Sequence, residues 1–315
     1  MYKFEVFMDL CNRTEVKRLL DKYNLAPKKA FGQNFLINPA IPQMIAENSY
    51  ALAREVGDGP CAVLEVGPGV GALTSRLAEY YDKVVAVEID RGLIPLLSES
   101  LADYDNIEIV EGDIMECDLP SFIEEKFGDI LKDGGTVSVC ANLPYYITSP
   151  VIMKFVESFP PTERLPFAAM TVMIQLEVAQ RLAAEAGDSD YGAVTASLAL
   201  HADVRRLLNV SAGNFHPVPK VASAVIGIIP HGGLADVYPE YKESSLSPEA
   251  IIAGAHKLIN LAFGQRRKTF VNAAGGAYPK EKLTEALERA GLRSDIRGEK
   301  LTPRDFCTLA DILGR

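Results

Sequence analysis

The feature that most constrains the fold of this chain is an alternation, from Cys61 to Ile229, between short β-branched runs and segments with helical spacing. Such an alternation is typical of a mostly parallel sheet covered by helices. The predicted strands contain AVLEV, KVVAVEI, IEIVEG, TVSVCAN, AAMTVMI and ASAVIGII, and the helices between them include ALTSRLAEYY and SPVIMKFVESF. The sequence therefore predicts an α/β, doubly wound architecture.

Outside this alternation, the sequence predicts an N-terminal helix and loop, a linker and a helical C-terminal region. Thr14 to Tyr23 predicts a helix, which leads into the basic, glycine-containing loop KKAFGQNFLINP. After Pro230, the run HGGLADVYPEYKESSLSPEA has the Gly, Pro, Ser and acidic content of a linker. Helical spacing returns at Ala250 to Phe263, Lys280 to Ala290 and Pro303 to Leu313. We therefore predict a larger domain over 1–231 and a small all-helical domain over 232–315.

Composition narrows the class of protein. With 315 residues and 48% hydrophobic content, the chain can bury a full core, and its longest apolar stretches are far shorter than the roughly 20 residues of a membrane-spanning helix. Its start lacks the features of a secretory signal. The five cysteines contain no CxxC pair and the four histidines show no paired-ligand spacing, so neither a disulfide framework nor a metal site is expected. We expect a cytoplasmic protein without membrane association.

The formal net charge of −10 argues, by itself, against a nucleic-acid partner. Basic residues nevertheless cluster at Lys28 and Lys29, and again at Arg266, Arg267 and Lys268. Local clusters of this kind can contact phosphates within an otherwise acidic protein. The alternative is that they are ordinary solvated faces.

The segment LEVGPGVGALT places Gly67, Gly69 and Gly71 between the first strand of the alternation and a helix. Glycine there lets the backbone turn sharply and approach a ligand, although a tight turn without a ligand would look the same. The next strand ends at Glu88, whose carboxylate could accept both ribose hydroxyls of a nucleoside cofactor. Dinucleotide and S-adenosylmethionine sites share this carboxylate at the end of the second strand.

At the end of the third strand, Asp113 could accept a hydrogen bond from an adenine amino group, or could simply cap a helix or lie in an exposed loop.

The motif Asn142-Leu143-Pro144-Tyr145-Tyr146 ends the fourth strand. An exocyclic amine is a poor nucleophile because its lone pair is delocalised into the ring. Hydrogen bonds from both amine protons to the Asn142 side-chain oxygen and the Leu143 carbonyl would favour a tetrahedral, nucleophilic nitrogen. Pro144 would fix the turn and Tyr145 would offer a face for an extruded base. A simple turn with a packed aromatic is the alternative.

A second aromatic residue, Phe215, lies in NFHPVPKVASAVI, a stretch stiffened by two prolines. It could complete a sandwich around the base, with Lys220 near the phosphates. A buried core phenylalanine is the alternative.

Together these motifs closely resemble the ribosomal RNA adenine dimethyltransferase family. The matching strings, in the family's order, are FGQNFL, LEVGPGVGALT, VEID, EGD, ANLPYYITSP, NFHPVPKVASAV and FGQRRKT. The resemblance implies a class I S-adenosylmethionine-dependent methyltransferase (Rossmann-like) sheet with an antiparallel last strand and a small helical C-terminal domain. It leaves the start through Arg13 and the stretch Asp118 to Gly135 without a functional account.

The resemblance also implies the site and the substrate. Its cofactor contacts, together with the glycine turn, would be Asn34, Leu36, Gly67, Gly69, Gly71, Glu88, Asp113 and Asn142. Gln33 would order the N-terminal segment over the site. The substrate implied is the 3′-terminal hairpin loop of 16S rRNA, in which two adjacent adenines each receive two methyl groups during late 30S assembly, and a monomer is expected.

Three alternative functions are compatible with parts of the sequence. The erythromycin-resistance methyltransferases share fold, cofactor and chemistry but modify large-subunit RNA, whereas NLPYYITSP and FGQRRKT resemble the small-subunit branch. A DNA adenine or glutamine-side-chain methyltransferase more usually carries Asn-Pro-Pro-Tyr, and position 143 here is Leu. A ribosome-assembly or transcription factor without catalysis is the alternative from another class, and the intact Glu88 and Asn142 argue against it.

Overall fold

A computed structural model of the chain describes residues 8–28, 33–144, 146–159 and 166–315. The strands among them are β1 Phe35–Leu36, β2 Cys61–Val66, β3 Lys83–Glu88, β4 Ile107–Glu111, β5 Thr136–Asn142, β6 Met170–Gln175, β7 Ala202–Val210, β8 Phe215–His216 and β9 Ser223–Pro230. The α-helices among them are α1 Arg13–Lys22, α2 Ala40–Arg54, α3 Ala72–Ala78, α4 Ile94–Ser100, α5 Leu119–Lys132, α6 Thr148–Glu157, α7 Leu176–Leu182, α8 Ala193–Leu198, α9 Leu234–Val237, α10 Pro248–Gly264, α11 Phe270–Ala274, α12 Lys280–Arg289 and α13 Pro303–Gly314. None of the helices described is long and apolar enough to cross a membrane.

The predicted parallel sheet is confirmed. Seven of the described strands form one sheet in the order β4-β3-β2-β5-β6-β9-β7. Strands β2, β3, β4, β5 and β6 pair in parallel, and β9 lies antiparallel to β6. Every residue of β2 is buried, as expected of a strand covered by helices on both faces. The carboxyl ends of β2, β3, β4 and β5 therefore meet at one edge of the sheet.

Two elements of this sheet layer were not predicted as structure. Strand β7 is an edge strand with mostly part-buried or exposed residues, and its Arg205 forms an ion pair with Glu55 at 2.9 Å. An edge strand needs no continuous apolar run and is protected by charges, so it lacks the sequence signal of a central strand. The stretch 118–135, to which the sequence assigned no function, contains α5. Ile123 and Phe127 of this helix are buried, which shows that the helix covers the sheet.

A short two-stranded ribbon joins segments that are far apart in sequence. Strand β1 pairs antiparallel with β8, and Leu36 lies opposite Phe215. The pairing is extended by a hydrogen bond of 2.9 Å from the Ile37 N–H to the Asn214 carbonyl. The loop before β1 and the loop after β8 are thus fixed next to each other.

The described residues group into two compact units. The first lies within Met1–Lys154, Pro166–Leu176 and Arg205–Ile228, and the second within Phe155–Leu165, Glu177–Val204 and Ile229–Arg315. The predicted division at 231/232 stays a prediction, although the second unit also takes segments from earlier in the chain.

The second unit has its own apolar core. Buried residues of α10, α12 and α13, such as Leu258, Leu287 and Phe306, form its centre. Leu234 and Tyr241 are buried in the same cluster. The segment that follows Pro230 was predicted as a linker, and that prediction was wrong, because its few apolar side chains help to fill a core despite the polar composition around them.

Candidate functional site

A cavity of about 250 Å³ opens at the carboxyl edge of the parallel strands. Most of the predicted site residues line it: Gln33, Asn34, Leu36, Gly67, Gly69, Glu88, Asp113, Asn142, Leu143, Pro144 and Phe215. These residues come from separate stretches of the chain. The sheet gathers them because parallel strands deliver their carboxyl ends to the same edge.

The glycine turn after β2 forms the floor of the cavity. Gly67 and Gly69 have φ angles of +72° and +61°, a backbone conformation that residues with a Cβ rarely adopt. A Cβ on Gly69 would also lie 3.4 Å from the ring of Phe35, which lines the cavity. The turn therefore requires glycine through its positive φ angles, whereas a Cβ on Gly69 would be in ordinary van der Waals contact with Phe35.

Gly71, by contrast, does not line the cavity. It has φ +89° at the N-terminus of α3, and a Cβ there would meet the Leu101 side chain at 3.2 Å. The cofactor contact predicted for Gly71 stays a prediction. The structure shows a packing role for this glycine, since its missing side chain lets α3 approach the end of α4.

Glu88 is held in place by the backbone around it. Its carboxylate is 3% exposed and accepts hydrogen bonds from the Gly69 N–H at 3.2 Å and the Asp90 N–H at 2.8 Å. Burial raises the pKa of Glu88, and these hydrogen bonds partly offset that effect. A carboxylate has room for about four hydrogen bonds, so acceptor capacity is left for hydroxyl groups of a ligand in the cavity.

Lys28 was predicted to contact RNA, but the structure engages it within the chain. Its ammonium forms an ion pair with Asp90 at 2.7 Å. The side-chain oxygen of Gln33 accepts a hydrogen bond from the Lys28 backbone N–H at 2.8 Å, and the Gln33 amide nitrogen donates one to the Asp90 carboxylate at 3.3 Å. Burial alone would raise the pKa of Asp90, but the hydrogen bond from Lys28 and those from Gly92 and Gln33 hold it below its ordinary value. These contacts tie Lys28 and Gln33 to the turn after β3. Lys29 lies outside the described residues.

Asp113 has two positions of contact, one toward the cavity and one toward its own turn. It lines the cavity, and its Oδ1 accepts a hydrogen bond of 2.8 Å from the Met115 N–H, which closes a turn after β4. Both alternatives drawn from the sequence, a ligand contact and a local cap, are therefore compatible with its position.

The predicted base site lies at the end of β5. Asn142 lines the cavity, and Leu143, which is 1% exposed, donates its N–H to the Met173 carbonyl at 3.2 Å. The Pro144 carbonyl accepts hydrogen bonds from the Ile147 N–H and the Thr148 hydroxyl, so a turn follows Leu143 directly. Asn142 and the Leu143 backbone are thus held at the wall of the cavity. Tyr145, the predicted stacking residue, lies outside the described residues.

Phe215 is both a core residue and a wall of the cavity. It is 1% exposed and packs with Leu36, Leu73 and Met173. Its ring is therefore fixed beside the predicted base site by the ribbon of β1 and β8. Little of that ring is open for stacking in this conformation.

Glu65, a lining residue that sequence reasoning missed, is the penultimate residue of β2. Its side chain is 1% exposed, and Oε2 has no hydrogen-bond partner among the described residues. Burial raises the pKa of Glu65 to about 8, and the nearby Glu88 adds to the shift. The available signal was a carboxyl group inside the otherwise apolar run AVLEV, where only a ligand or a buried partner would compensate for its burial.

The charge of the cavity is one-sided. Among the described lining residues, the carboxyl groups are those of Glu65, Glu88 and Asp113, and no Lys, Arg or His belongs to the lining. Because Glu65 keeps its proton up to about pH 8, the formal negative charges are those of Glu88 and Asp113. A pyrophosphate would be repelled there, whereas a cationic ligand would be attracted. The site therefore favours a positively charged nucleoside over a dinucleotide.

We expect Glu65→Gln to stabilise the free protein in a pH-dependent way. In the folded chain the carboxyl keeps its proton up to about pH 8, whereas its ordinary pKa is 4.5. The folded state therefore binds more protons between these values, and stability falls as pH rises through that window. Because Gln cannot ionise, the difference in Tm between the variant and the wild type should grow from near zero at pH 5 to about 2–5 °C at pH 8.

Calorimetry across that pH range measures this difference. Glu116→Gln, at an exposed position, is the matched control and should leave Tm unchanged at every pH. A Glu65→Gln effect that does not vary with pH would show that the carboxyl is not held protonated by burial.

The basic residues of the second unit behave differently from one another. The Arg266 guanidinium forms an ion pair with Glu299 at 3.2 Å and donates to the carbonyls of Ser189 and Tyr191 at 2.7 and 2.9 Å. Its guanidinium therefore links separate segments of the second unit through direct contacts. Arg267 and Lys268 are exposed, and these side chains stay candidates for contacts with RNA, as does Lys220 in the first unit.

Comparisons with known proteins agree on one family. Residues 24–314 match the family model described as Ribosomal RNA adenine dimethylase. The chain is 38% identical over 313 residues to Ribosomal RNA small subunit methyltransferase A of Anoxybacillus flavithermus, covering 98% of this chain and 97% of that protein. It is 39% identical over 299 residues to the protein of the same name from Alkaliphilus metalliredigens, covering 94% and 95%.

Solved structures show the same relationship at the level of the fold. The chain is similar to a dimethyladenosine transferase from Plasmodium falciparum, with a TM-score of 0.65 and 25% identity over 87% of this chain and 95% of that one. It is also similar to the 23S rRNA methyltransferase ErmE, with a TM-score of 0.62 and 25% identity over 90% of this chain and 100% of that one. The match of the family model over nearly the whole chain, with relatives near 40% identity, shows that the chain belongs to the ribosomal RNA adenine dimethylase family.

Proposed function

We propose that this chain uses S-adenosylmethionine to dimethylate the 6-amino groups of two adjacent adenines in the 3′-terminal hairpin loop of 16S rRNA. It acts as a monomer in the cytoplasm, on the 30S subunit late in its assembly. Membership of an adenine dimethylase family supports the reaction. The names of the relatives, which are small-subunit methyltransferases, support the choice of RNA.

The observation that carries the cofactor assignment is the acidic cavity above the glycine turn. S-adenosylmethionine supplies a methyl group on a positively charged sulfur, and its amino acid part carries an ammonium group. Glu65, Glu88 and Asp113 line the cavity, and Glu65 Oε2 lacks a partner among the described residues. These acceptors fit a cationic nucleoside: Glu88 would accept hydrogen bonds from the ribose hydroxyls and Asp113 from the adenine amino group, while Gly67 and Gly69 allow close approach of the backbone.

The residues that would hold the target base lie next to this set. Asn142 and Leu143 line the same cavity, and the turn at Pro144 keeps them at its wall. Two acceptors, each receiving a hydrogen bond from one N–H of the adenine amine, would favour the tetrahedral nitrogen of the transition state over the planar nitrogen of the free base. The methylated nitrogen would be cationic and would release one proton to water. The chain thus needs no strong general base for the transfer. Extrusion of the adenine from its stack would precede it.

The large-subunit alternative shares this chemistry. It rests on the similarity to ErmE, at 25% identity, whereas the small-subunit relatives reach 38% and 39% over nearly the whole chain. A non-catalytic assembly factor would not need three carboxyl groups and an amide around one cavity. Neither alternative is favoured.

The deciding experiment incubates the protein with isotopically labelled S-adenosylmethionine and either 30S or 50S particles that lack adenine dimethylation. Mass spectrometry of RNA fragments then locates the methyl groups. We expect label on two adjacent adenines near the 3′ end of 16S rRNA only. Label on 23S rRNA would support the large-subunit alternative, and no label on either particle would support a non-catalytic role.

We expect Arg267 and Lys268 to contribute to RNA binding and Arg266 to contribute to stability. Replacing Arg267 and Lys268 together by Gln should weaken binding to 30S particles and reduce the slope of log affinity against log salt by about 1 for each phosphate that the variant no longer neutralises. Arg266→Gln, which removes an ion pair and two hydrogen bonds within the fold, should instead lower Tm. Filter binding at several salt concentrations measures the slope. An unchanged slope in the double variant would remove these residues from the RNA interface.

A further inference from the structure

Tyr146 is an aromatic side chain that the proposed mechanism does not use. It follows the base-site motif, lines the cavity and is nevertheless 60% exposed. Among the described residues, no hydrogen-bond partner is found for its hydroxyl. The fold therefore holds a large ring at the mouth of the cavity without any visible structural use for it.

Several exposed apolar side chains of the first unit are concentrated around this mouth. Ile89, Met115 and Tyr146 all line the cavity, with exposed fractions of 46%, 36% and 60%. Ile89 and Met115 follow the cofactor acids Glu88 and Asp113, so they lie on the side of the proposed cofactor. Tyr146 follows Asn142 and Pro144, so it lies on the side of the proposed target base. Exposed apolar surface next to a binding cavity usually marks a surface that a ligand covers.

We propose that Tyr146 stacks on the nucleotide next to the target adenine. This inference rests on the proposed function and deepens it. When one adenine leaves the stack of an RNA loop, its neighbour loses a stacking partner. An exposed ring beside the cavity offers a replacement, because every base has a π-face and base–aromatic stacking needs no hydrogen-bond pattern.

In a pair of adjacent adenines, the neighbour of each target is the other adenine. Because an RNA strand is directional, the other adenine lies on the 3′ side of one target and on the 5′ side of the other, so a ring fixed on one side of the cavity meets it during one of the two transfers. This contact makes Tyr146 a positioning residue, since the ring contacts the RNA but none of the reacting atoms.

The test compares Tyr146→Ala and Tyr146→Phe with the wild type on 30S particles reconstituted from 16S rRNA with a ligated synthetic 3′-terminal fragment. In one set both adenines are present, and in the others one or the other is replaced by an abasic residue. We expect Tyr146→Ala to lower kcat/KM on intact particles by about tenfold to a hundredfold, mainly through KM. Tyr146→Phe, which keeps the ring, should stay within about twofold of the wild type.

On the particles in which the abasic residue replaces the neighbour that the ring contacts, the wild type should already be slow on the remaining adenine, and Tyr146→Ala should add less than about a twofold loss. Binding gives an independent readout: 2-aminopurine at the neighbouring position should be quenched by the wild type and by Tyr146→Phe but not by Tyr146→Ala. Affinity for S-adenosylmethionine, measured by calorimetry, should be the same in all three proteins.

An equal loss for Tyr146→Ala on intact particles and on both kinds of abasic particle would overturn the inference, because the ring would then act through the protein. Unchanged kinetics on intact particles, or a loss of cofactor affinity, would also overturn it. A wild type that methylates neither adenine would overturn the proposed function, and this inference with it. An active wild type beside an unaffected Tyr146→Ala would overturn this inference alone.

Discussion

Asn142→Ala is expected to reduce methyl transfer to adenine by at least about a hundredfold to a thousandfold, while the protein stays folded and still binds part of its cofactor. Asn142 ends β5 and lines the cavity beside Glu88 and Asp113. Its side-chain oxygen is the acceptor that would hold one amine proton. Without it, the amine keeps its planar, delocalised form, and only the Leu143 carbonyl remains to favour the reactive geometry.

Single-turnover assays with labelled S-adenosylmethionine and undermethylated 30S particles measure this loss. Asn48→Ala, on the first-unit helix α2 and outside the cavity lining, is the matched control and should retain full activity. Thermal unfolding of both variants checks the fold. Unchanged turnover of Asn142→Ala would remove this residue from the mechanism.

Glu88→Ala is expected to weaken binding of S-adenosylmethionine by about tenfold to a hundredfold. The interactions removed are charge-assisted hydrogen bonds to the ribose, together worth about 1.5–3 kcal/mol. The substitution also leaves the Gly69 and Asp90 N–H groups without the carboxylate that accepts their hydrogen bonds, so the glycine turn loses an anchor. Both effects act in the same direction.

Isothermal titration calorimetry on the free protein measures this affinity without any RNA. Glu281→Ala, an exposed glutamate on α12, is the control and should bind as tightly as the wild type. Equal affinity for Glu88→Ala would refute the ribose assignment, whatever its effect on turnover.

Much of the sheet could be predicted because its central strands are buried. The predicted strands of the alternation correspond to β2, β3, β4, β5, β6 and β9. Central parallel strands produce continuous apolar runs that differ visibly from amphipathic helices. Strand β7 was missed because the charged side chains of Asp203, Arg205 and Arg206 interrupt its apolar pattern, whereas β4, at the opposite edge of the sheet, keeps the β-branched residues of IEIVE.

The candidate site could be predicted wherever a polar residue ends a parallel strand. Glu88, Asp113 and Asn142 follow this rule, and the structure brings all three to one cavity. The basic residues could not be sorted in the same way. Lys28 and Arg266 are engaged with Asp90 and Glu299, acids that are distant in sequence and carry no local signal of that pairing.

By itself, the sequence determined the type and order of the central strands, the glycine turn and the family to which the chain belongs. These depend on local patterns of burial, backbone freedom and motif order, which a linear sequence records directly. Only the tertiary structure decided that Gly71 serves packing, that Lys28 and Arg266 are tied within the fold, and that Glu65 and Tyr146 line the cavity. Those outcomes depend on which side chains from distant segments meet in space, and no pattern along the chain specifies such a meeting.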